Sequence, residues 1–176
     1  MISGIRFKAF TADEFAKGKI PIPGTRRQSS DSEGDKEYIV VKFTAGATHI
    51  NGSAILIDGD AVATLGTAGG SALTVTGRAG VLQIAEATTD ATSTIAATCF
   101  AWAQIYGKAR VRWGATNSGS ILGNLLQFGA DGVVVAGAAG SASAQLNGIQ
   151  SMTASISGAG LFPALLTYPK WAGIPA

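Results

Sequence analysis

An all-β fold is what the sequence predicts: a compact β-barrel or β-sandwich preceded by an extended N-terminal arm with a short helix. Three observations predict it. Short runs of β-branched and aromatic residues recur with turn residues between them, at the roughly eight-to-twelve-residue spacing of barrels and sandwiches. No helical period longer than about ten residues is visible beyond the arm. Glycine reaches 24 of 176 residues, a level that suits turns and bulges and opposes long helices.

Charge divides the chain. Residues 1–43 hold eight Lys/Arg and six Asp/Glu, and the rest of the chain holds five of each. The boundary is accordingly placed between residues 37 and 38, giving an arm over 1–37 and a β-rich domain over 38–176. Met1 to Phe10 lacks a continuous apolar core, so no secretory leader is read there. Thr11-Ala12-Asp13-Glu14 fits a capping box, and Gly18 is a natural stop, so a helix of under two turns is expected. Such a helix is unstable alone. It requires Phe7, Phe10 and Phe15 to dock, on this domain or on a neighbour. Ile20-Pro21-Ile22-Pro23-Gly24 is extended by its prolines. Arg26 to Lys36 is polar and of mixed charge, and reads as a loop or linker, either solvated or, through Arg26 and Arg27, a partner contact.

Strand signals begin at Tyr38-Ile39-Val40-Val41-Lys42-Phe43. Ser53 to Ile57 follows and ends at Asp58-Gly59-Asp60. Leu73 to Thr76 and Gly80 to Ala85 come next. Thr94 to Trp113 is the longest run, with Gly107 inside it as a bulge or bend. Leu122–Phe128, Val133–Ala136, Ala144–Leu146 and Met152–Ile156 complete the set, although the leucines within 118–128 also suit a short helix. The C-terminal segment carries Phe162, Pro163, Pro169, Trp171 and Pro175. Its prolines exclude a helix or an interior strand, so it is read as a stiff apolar tail lying on a partner or closing its own barrel.

Bulk composition narrows the function classes. Charged residues make up 14% of the chain, against roughly 25% in an average soluble domain. A surface so poorly covered by charge favours contact with other subunits. The net charge of +2 gives little support to nucleic-acid binding. The uncharged run from Gly132 to Pro169 is broken by Ser, Gln, Asn and Gly, so it does not read as a membrane span, and the chain is read as soluble. Cys99 is the single cysteine and His49 the single histidine. No cysteine zinc cluster or intramolecular disulfide is available, and no Gly-x-Ser-x-Gly elbow accompanies the histidine. Asp58-Gly59-Asp60 lacks the further oxygen ligands and closing glutamate of a calcium loop, and reads as a turn. Gly66 to Gly70 lacks the Lys-Ser/Thr of a phosphate loop. No catalytic residue, cofactor or metal is expected.

Cys99 to Trp113 alternates clearly. If Gly107 leaves the register intact, one face carries Phe100, Trp102, Gln104, Tyr106, Lys108, Arg110 and Arg112, and the other carries Cys99, Ala101, Ala103, Ile105, Ala109, Val111 and Trp113. Three of the five basic residues beyond Phe43 then sit together. A solvated face, an acidic protein partner and nucleic acid are the alternatives for them.

Phe100-Ala101-Trp102-Ala103-Gln104-Ile105-Tyr106-Gly107-Lys108-Ala109 resembles a segment that recurs in the capsid decoration (cement) proteins of tailed bacteriophages. Gly80 to Ala85 is similar to the strand that precedes it in that family, and the Gly/Ala-rich stretch downstream resembles the family's close. The similarity covers roughly residues 80–140; the charged arm and proline-rich tail have no counterpart in it. The resemblance implies a structural virion protein on the capsid surface: a trimer-forming β-domain that fastens neighbouring major capsid proteins, with no enzymatic activity. On this reading Phe7, Phe10, Phe15, Arg26, Arg27, Trp102, Tyr106, Lys108, Arg110, Arg112, Phe162 and Trp171 are the candidate capsid or subunit contacts. A phage fibre or receptor-binding module is the alternative, although no fixed-period repeat is visible.

Overall fold

The computed structural model describes residues 5–44, 47–66, 77–85, 92–95, 98–114, 126–129, 132–136, 145–153, 156 and 158–172. The expected run Leu73–Thr76, the ambiguous stretch 118–125 and most of the small-residue loops at 67–70 and 137–144 lie outside them. The fold is all-β. Its arm carries β1 (Phe10–Thr11) and the helix α1 (Ala12–Ala16). The capping box forms: the Glu14 amide donates to the Thr11 hydroxyl at 3.2 Å, and the Thr11 amide donates to the Glu14 carboxylate at 3.1 Å. Gly18, at φ +68°, ends the helix with its amide on the Phe15 carbonyl.

β2 (Arg26–Asp31) and β3 (Gly34–Phe43) form a hairpin. The polar segment expected as a loop is therefore a strand pair, and the expected boundary between residues 37 and 38 falls inside β3. Polar residues suit β2 because both its faces are largely solvated. The remaining strands are β4 (Ala47–Ile50), β5 (Ala54–Ile57), β6 (Ala63–Leu65), β7 (Gly77–Gln83), β8 (Thr92–Ile95), β9 (Cys99–Trp113), β10 (Leu126–Phe128), β11 (Val134–Ala136), β12 (Gln145–Ser151) and β13 (Gly160–Ala172). β5 and β6 are joined by a turn in which the Asp58 carboxylate accepts from the Asp60 and Val62 amides, so Asp58 builds a turn. Met152, expected to open a strand, follows the end of β12 instead.

β9 is the spine. Six strands, in the order β9, β11, β10, β12, β13, β7 and back to β9, close a barrel. The first half of β9 is flanked by β3 on one edge and β7 on the other, and the second half by β13. Three apolar clusters result. Ala109, Val111 and Trp113 of β9 pack with Val81, Leu146, Ala164 and Leu166. Ala101, Ala103 and Ile105 pack with Ile39, Val41, Ile55 and Leu82. Phe100 and Trp102 join Tyr38 and Val40 in a third cluster that the arm covers with Phe10, Ile20, Ile5, Phe7 and Phe15. Phe15 stacks on Phe100 with centroids 4.2 Å apart, and Phe7 lies against Tyr38 at 5.3 Å. The arm thus belongs to the core of its own subunit.

One β9 bulge reconciles these clusters. Glu37 pairs with Tyr106 and Tyr38 with Gln104, so Ile105 is the extra residue. The buried Gln104 side chain donates to the carbonyls of Tyr106 at 3.0 Å and Lys108 at 2.8 Å. It satisfies backbone acceptors at and just past the last pair with β3. Gly107, at φ +87°, completes the bend; a Cβ there would lie 2.1 Å from the Asp35 carbonyl oxygen.

The C-terminal segment corrects the sequence expectation. Despite its prolines, β13 is an interior strand paired with β12 on one edge and with β9 and then β7 on the other. The Pro163 carbonyl accepts from the Met152 amide, so its missing N–H falls on the β12 edge, just where β12 ends, and β9 loses no bond. Pro169 follows Tyr168, whose φ of +51° turns the strand from β9 to β7. Opposite that corner β12 shifts register around Gly148, where a Cβ would lie 2.9 Å from the Thr167 carbonyl oxygen.

Two substitutions test this account. Gly107→Ala is expected to lower the unfolding free energy by about 2–4 kcal/mol, because it adds strain at positive φ and a backbone clash. Phe10→Ala, which empties the arm's buried anchor, is expected to cost about 3–5 kcal/mol. Urea unfolding followed by tryptophan fluorescence measures both.

Candidate interaction surface

The bulge decides which way the cationic row points. Gln104 pairs with Val81, a residue of the barrel core, while Ile105 belongs to the β3–β9–β7–β5 core. Tyr106 pairs with the exposed Thr167, and beyond it Ala109, Val111 and Trp113 turn into the barrel. Ile105 and its neighbour Tyr106 therefore stand on the same side. Past the bulge Tyr106, Lys108, Arg110 and Arg112 continue the face of Ala101 and Ala103, not that of Phe100 and Trp102. The single aromatic-to-cationic face expected for an unshifted register is thereby split in two.

Pairing extends this outer face across neighbouring strands. Gln28 of β2, Glu37 of β3, Tyr106 of β9 and Thr167 of β13 form one rank. Further along, Lys108 stands beside Leu165, Arg110 beside Pro163, and Arg112 beside Leu161. Leu161, Pro163 and Leu165 are half-buried, Met152 next to them is 47% exposed, and Lys108 is exposed. The result is an apolar row on β13 beside a cationic row on β9.

One end of the face is fixed by a polar cluster. Tyr106 and Tyr168 stack with centroids 5.1 Å apart and remain 37% and 46% exposed. The nearly buried Glu37 carboxylate accepts from the Tyr168 hydroxyl at 2.9 Å and pairs with the Arg26 guanidinium at 2.9 Å. The bond to Glu37, with desolvation behind it, raises the Tyr168 phenol above its ordinary range. On the hairpin, the Lys36 ammonium is buried between Asp31 at 2.9 Å and Glu33 at 2.7 Å. Burial pulls Lys36 down, but its bonds to Asp31 and Glu33 outweigh that and raise it; the Lys36 bond holds Asp31 low.

The structure gathers Arg26, Tyr106, Lys108, Arg110 and Arg112 on one face. It places the other candidates elsewhere. Phe10 and Trp102 are buried within the subunit, and Phe7 and Phe15, half-buried, pack beside them, so these four hold the arm down. Phe162 packs against the barrel core. Arg27 pairs with Tyr38 and so stands on the arm side of the hairpin. Trp171 is a β13 position paired with Leu146 and Gly77. Leu161, Pro163, Leu165, Met152 and Glu37 were missed. The alternation from Leu161 to Thr167 carries the signal for the β13 residues, but the prolines argued against a strand.

Chemistry is sparse among the described residues. No group of three or more His, Cys, Asp or Glu is placed to hold a metal ion, and no helix is long and apolar enough to cross a membrane. His49 is a β4 position paired with Ser93. Cys99 is buried, which pushes its thiol up to about 12. No family model matches the chain, and neither does any curated protein.

Burial also pushes the Tyr38 phenol up to about 12. Both groups have ordinary values below that, 9.0 for the thiol and 10.0 for the phenol, so the fold favours their neutral forms. The stability they contribute is complete below about pH 9 and is lost as the pH rises towards 12. Urea midpoints measured from pH 7 to 11.5 are expected to fall above pH 9, and Tyr38→Phe is expected to shallow the fall above pH 10.

Proposed function

We propose that the chain is a capsid decoration (cement) protein, a structural virion protein that binds the outer surface of a major capsid protein shell and stabilises it. The observation that supports this most is the β9–β13 face: an apolar row beside a cationic row, held on a closed barrel wall rather than on loops. Such a face fits an apolar protein surface edged with carboxylates. The low charge of the chain and its resemblance to decoration proteins around Trp102-Ala103-Gln104 support the same reading.

Magnitudes indicate how attachment works. Covering Leu161, Pro163, Leu165 and Met152, most of them already half-buried, yields about 3–6 kcal/mol. Association costs about 4–15 kcal/mol in lost freedom. A single face therefore binds weakly even with its charge contacts, and durable attachment comes from several copies engaging one shell. Self-association of the chain supplies that multiplicity.

Pelleting with expanded, undecorated phage shells tests the proposal. The wild-type chain is expected to co-sediment with shells, less so as salt rises. Combined Lys108→Glu and Arg110→Glu are expected to weaken binding at least tenfold while leaving the unfolding midpoint within a few degrees. A wild-type chain that stays in the supernatant over a panel of shells, or that adsorbs to bacterial cells instead, overturns the reading; adsorption to cells favours a receptor-binding module.

A further inference from the structure

β2 ends the strand order of the main sheet at one side. Its six residues pair with β3 without interruption from Arg26 opposite Ile39 to Asp31 opposite Gly34. One step earlier the Val40 amide donates to the Thr25 carbonyl at 2.9 Å. Bonded pairs alternate along an antiparallel ladder, so Thr25, Arg27, Ser29 and Asp31 turn their amides and carbonyls towards β3. The amides and carbonyls of Arg26, Gln28 and Ser30 point the other way. Among the described residues, no backbone or side-chain partner takes up those amides and carbonyls. β2 is regular along its whole length, contains no proline, and is exposed at every position but Ser29. Apart from its charges, it lacks the devices that usually blunt an edge.

We propose that β2 pairs antiparallel with β2 of a second copy of this chain, joining two subunits about a twofold axis. The charge order of the strand selects this occupant. Arg-Arg-Gln-Ser-Ser-Asp runs from positive to negative. Laid antiparallel on itself it sets the arginine end of one copy along the Ser30–Asp31 end of the other, whereas a parallel pairing sets arginine on arginine and aspartate on aspartate. Only residues whose bonding groups face outward can form bonded pairs, which favours a register centred on Gln28. There Gln28 meets Gln28 of the second copy and each Arg26 meets Ser30, giving about six backbone hydrogen bonds. The Arg26–Glu37 pair and the Lys36 pairs use side chains, so they do not compete for those backbone groups. β3 separates this edge from β9, so the twofold contact and the β9–β13 face are able to act together.

Sedimentation velocity of the full chain, with no shell present, tests the pairing separately from shell binding. The wild-type chain is expected to move from one to two subunits between about 10 and 200 μM, the range of a weak edge contact. Gln28→Pro removes an N–H that makes no bond within the subunit, at an edge position where proline is tolerated. It is expected to raise the dissociation constant at least tenfold with an unchanged unfolding midpoint, while Gln28→Thr keeps the association. Hydrogen exchange supplies a second readout on the unaltered chain: the Arg26, Gln28 and Ser30 amides are expected to gain protection as concentration rises. A wild-type chain that remains one subunit throughout, a Gln28→Pro variant that associates as the wild type does, or amides that stay unprotected overturn the proposal. Failure to pellet with shells leaves the pairing standing, and loss of the pairing leaves the single-face affinity for a shell intact.

Discussion

The structure depends on the bulge at Ile105, because one strand has to line two cores that lie on opposite sides of it. Without the extra residue β9 would present the same parity along its whole length. Ala101, Ala103 and Ile105 would then face one way, and Ala109, Val111 and Trp113 the same way, leaving one core without its wall. The flip has a cost, since carbonyls near the bend lose regular partners. Gln104 offsets that cost with two side-chain bonds, and Gly107 permits the backbone angle that brings Asp35 into contact. The glutamine of the Trp-x-Gln segment is therefore read as a structural element.

Much of this fold was legible. Apolar and β-branched runs bounded by turn residues placed β3, β5 and β7, alternation marked β9, and the capping box placed α1, because those signals depend on a few neighbouring residues. The C-terminal strand was not legible, for a reason specific to Pro163 and Pro169. A proline excludes an interior strand only if its missing N–H falls within a ladder. Here one falls at the end of β12 and the other follows a turn at Tyr168, and neither position is visible before the pairing is known. The β2–β3 hairpin was missed because its polar side chains carry no apolar period. Its stability comes from the ladder and from the buried Lys36 between two carboxylates.

The candidate site divides along the same line. Arg110 and Arg112 could be grouped from the sequence because they lie on one unbroken stretch of strand. Trp102 and Tyr106 could not be separated from each other, since that needs the parity change between them. The arm's phenylalanines were ambiguous between a neighbour and their own domain, and burial decides it: Phe10 is 2% exposed. Aromatic residues are poor pointers to an interface in a chain whose sheets need covering on both faces.

This last point bears on how a chain with 14% charge stays folded and still offers a contact. Its large apolar side chains are mostly spent internally, by an arm that covers one sheet face and a barrel that encloses another. Among the described residues, what is left outside includes an apolar row one strand wide, a cationic row one strand wide, and an open edge at β2. Each is too small to hold a partner firmly by itself, given what association costs. A protein built this way binds strongly only when several such contacts are made at once on a repeating surface, and it stays apart from partners that offer just one. The same arithmetic that makes the single face weak supports the proposal of a lattice, not a soluble receptor, as its target.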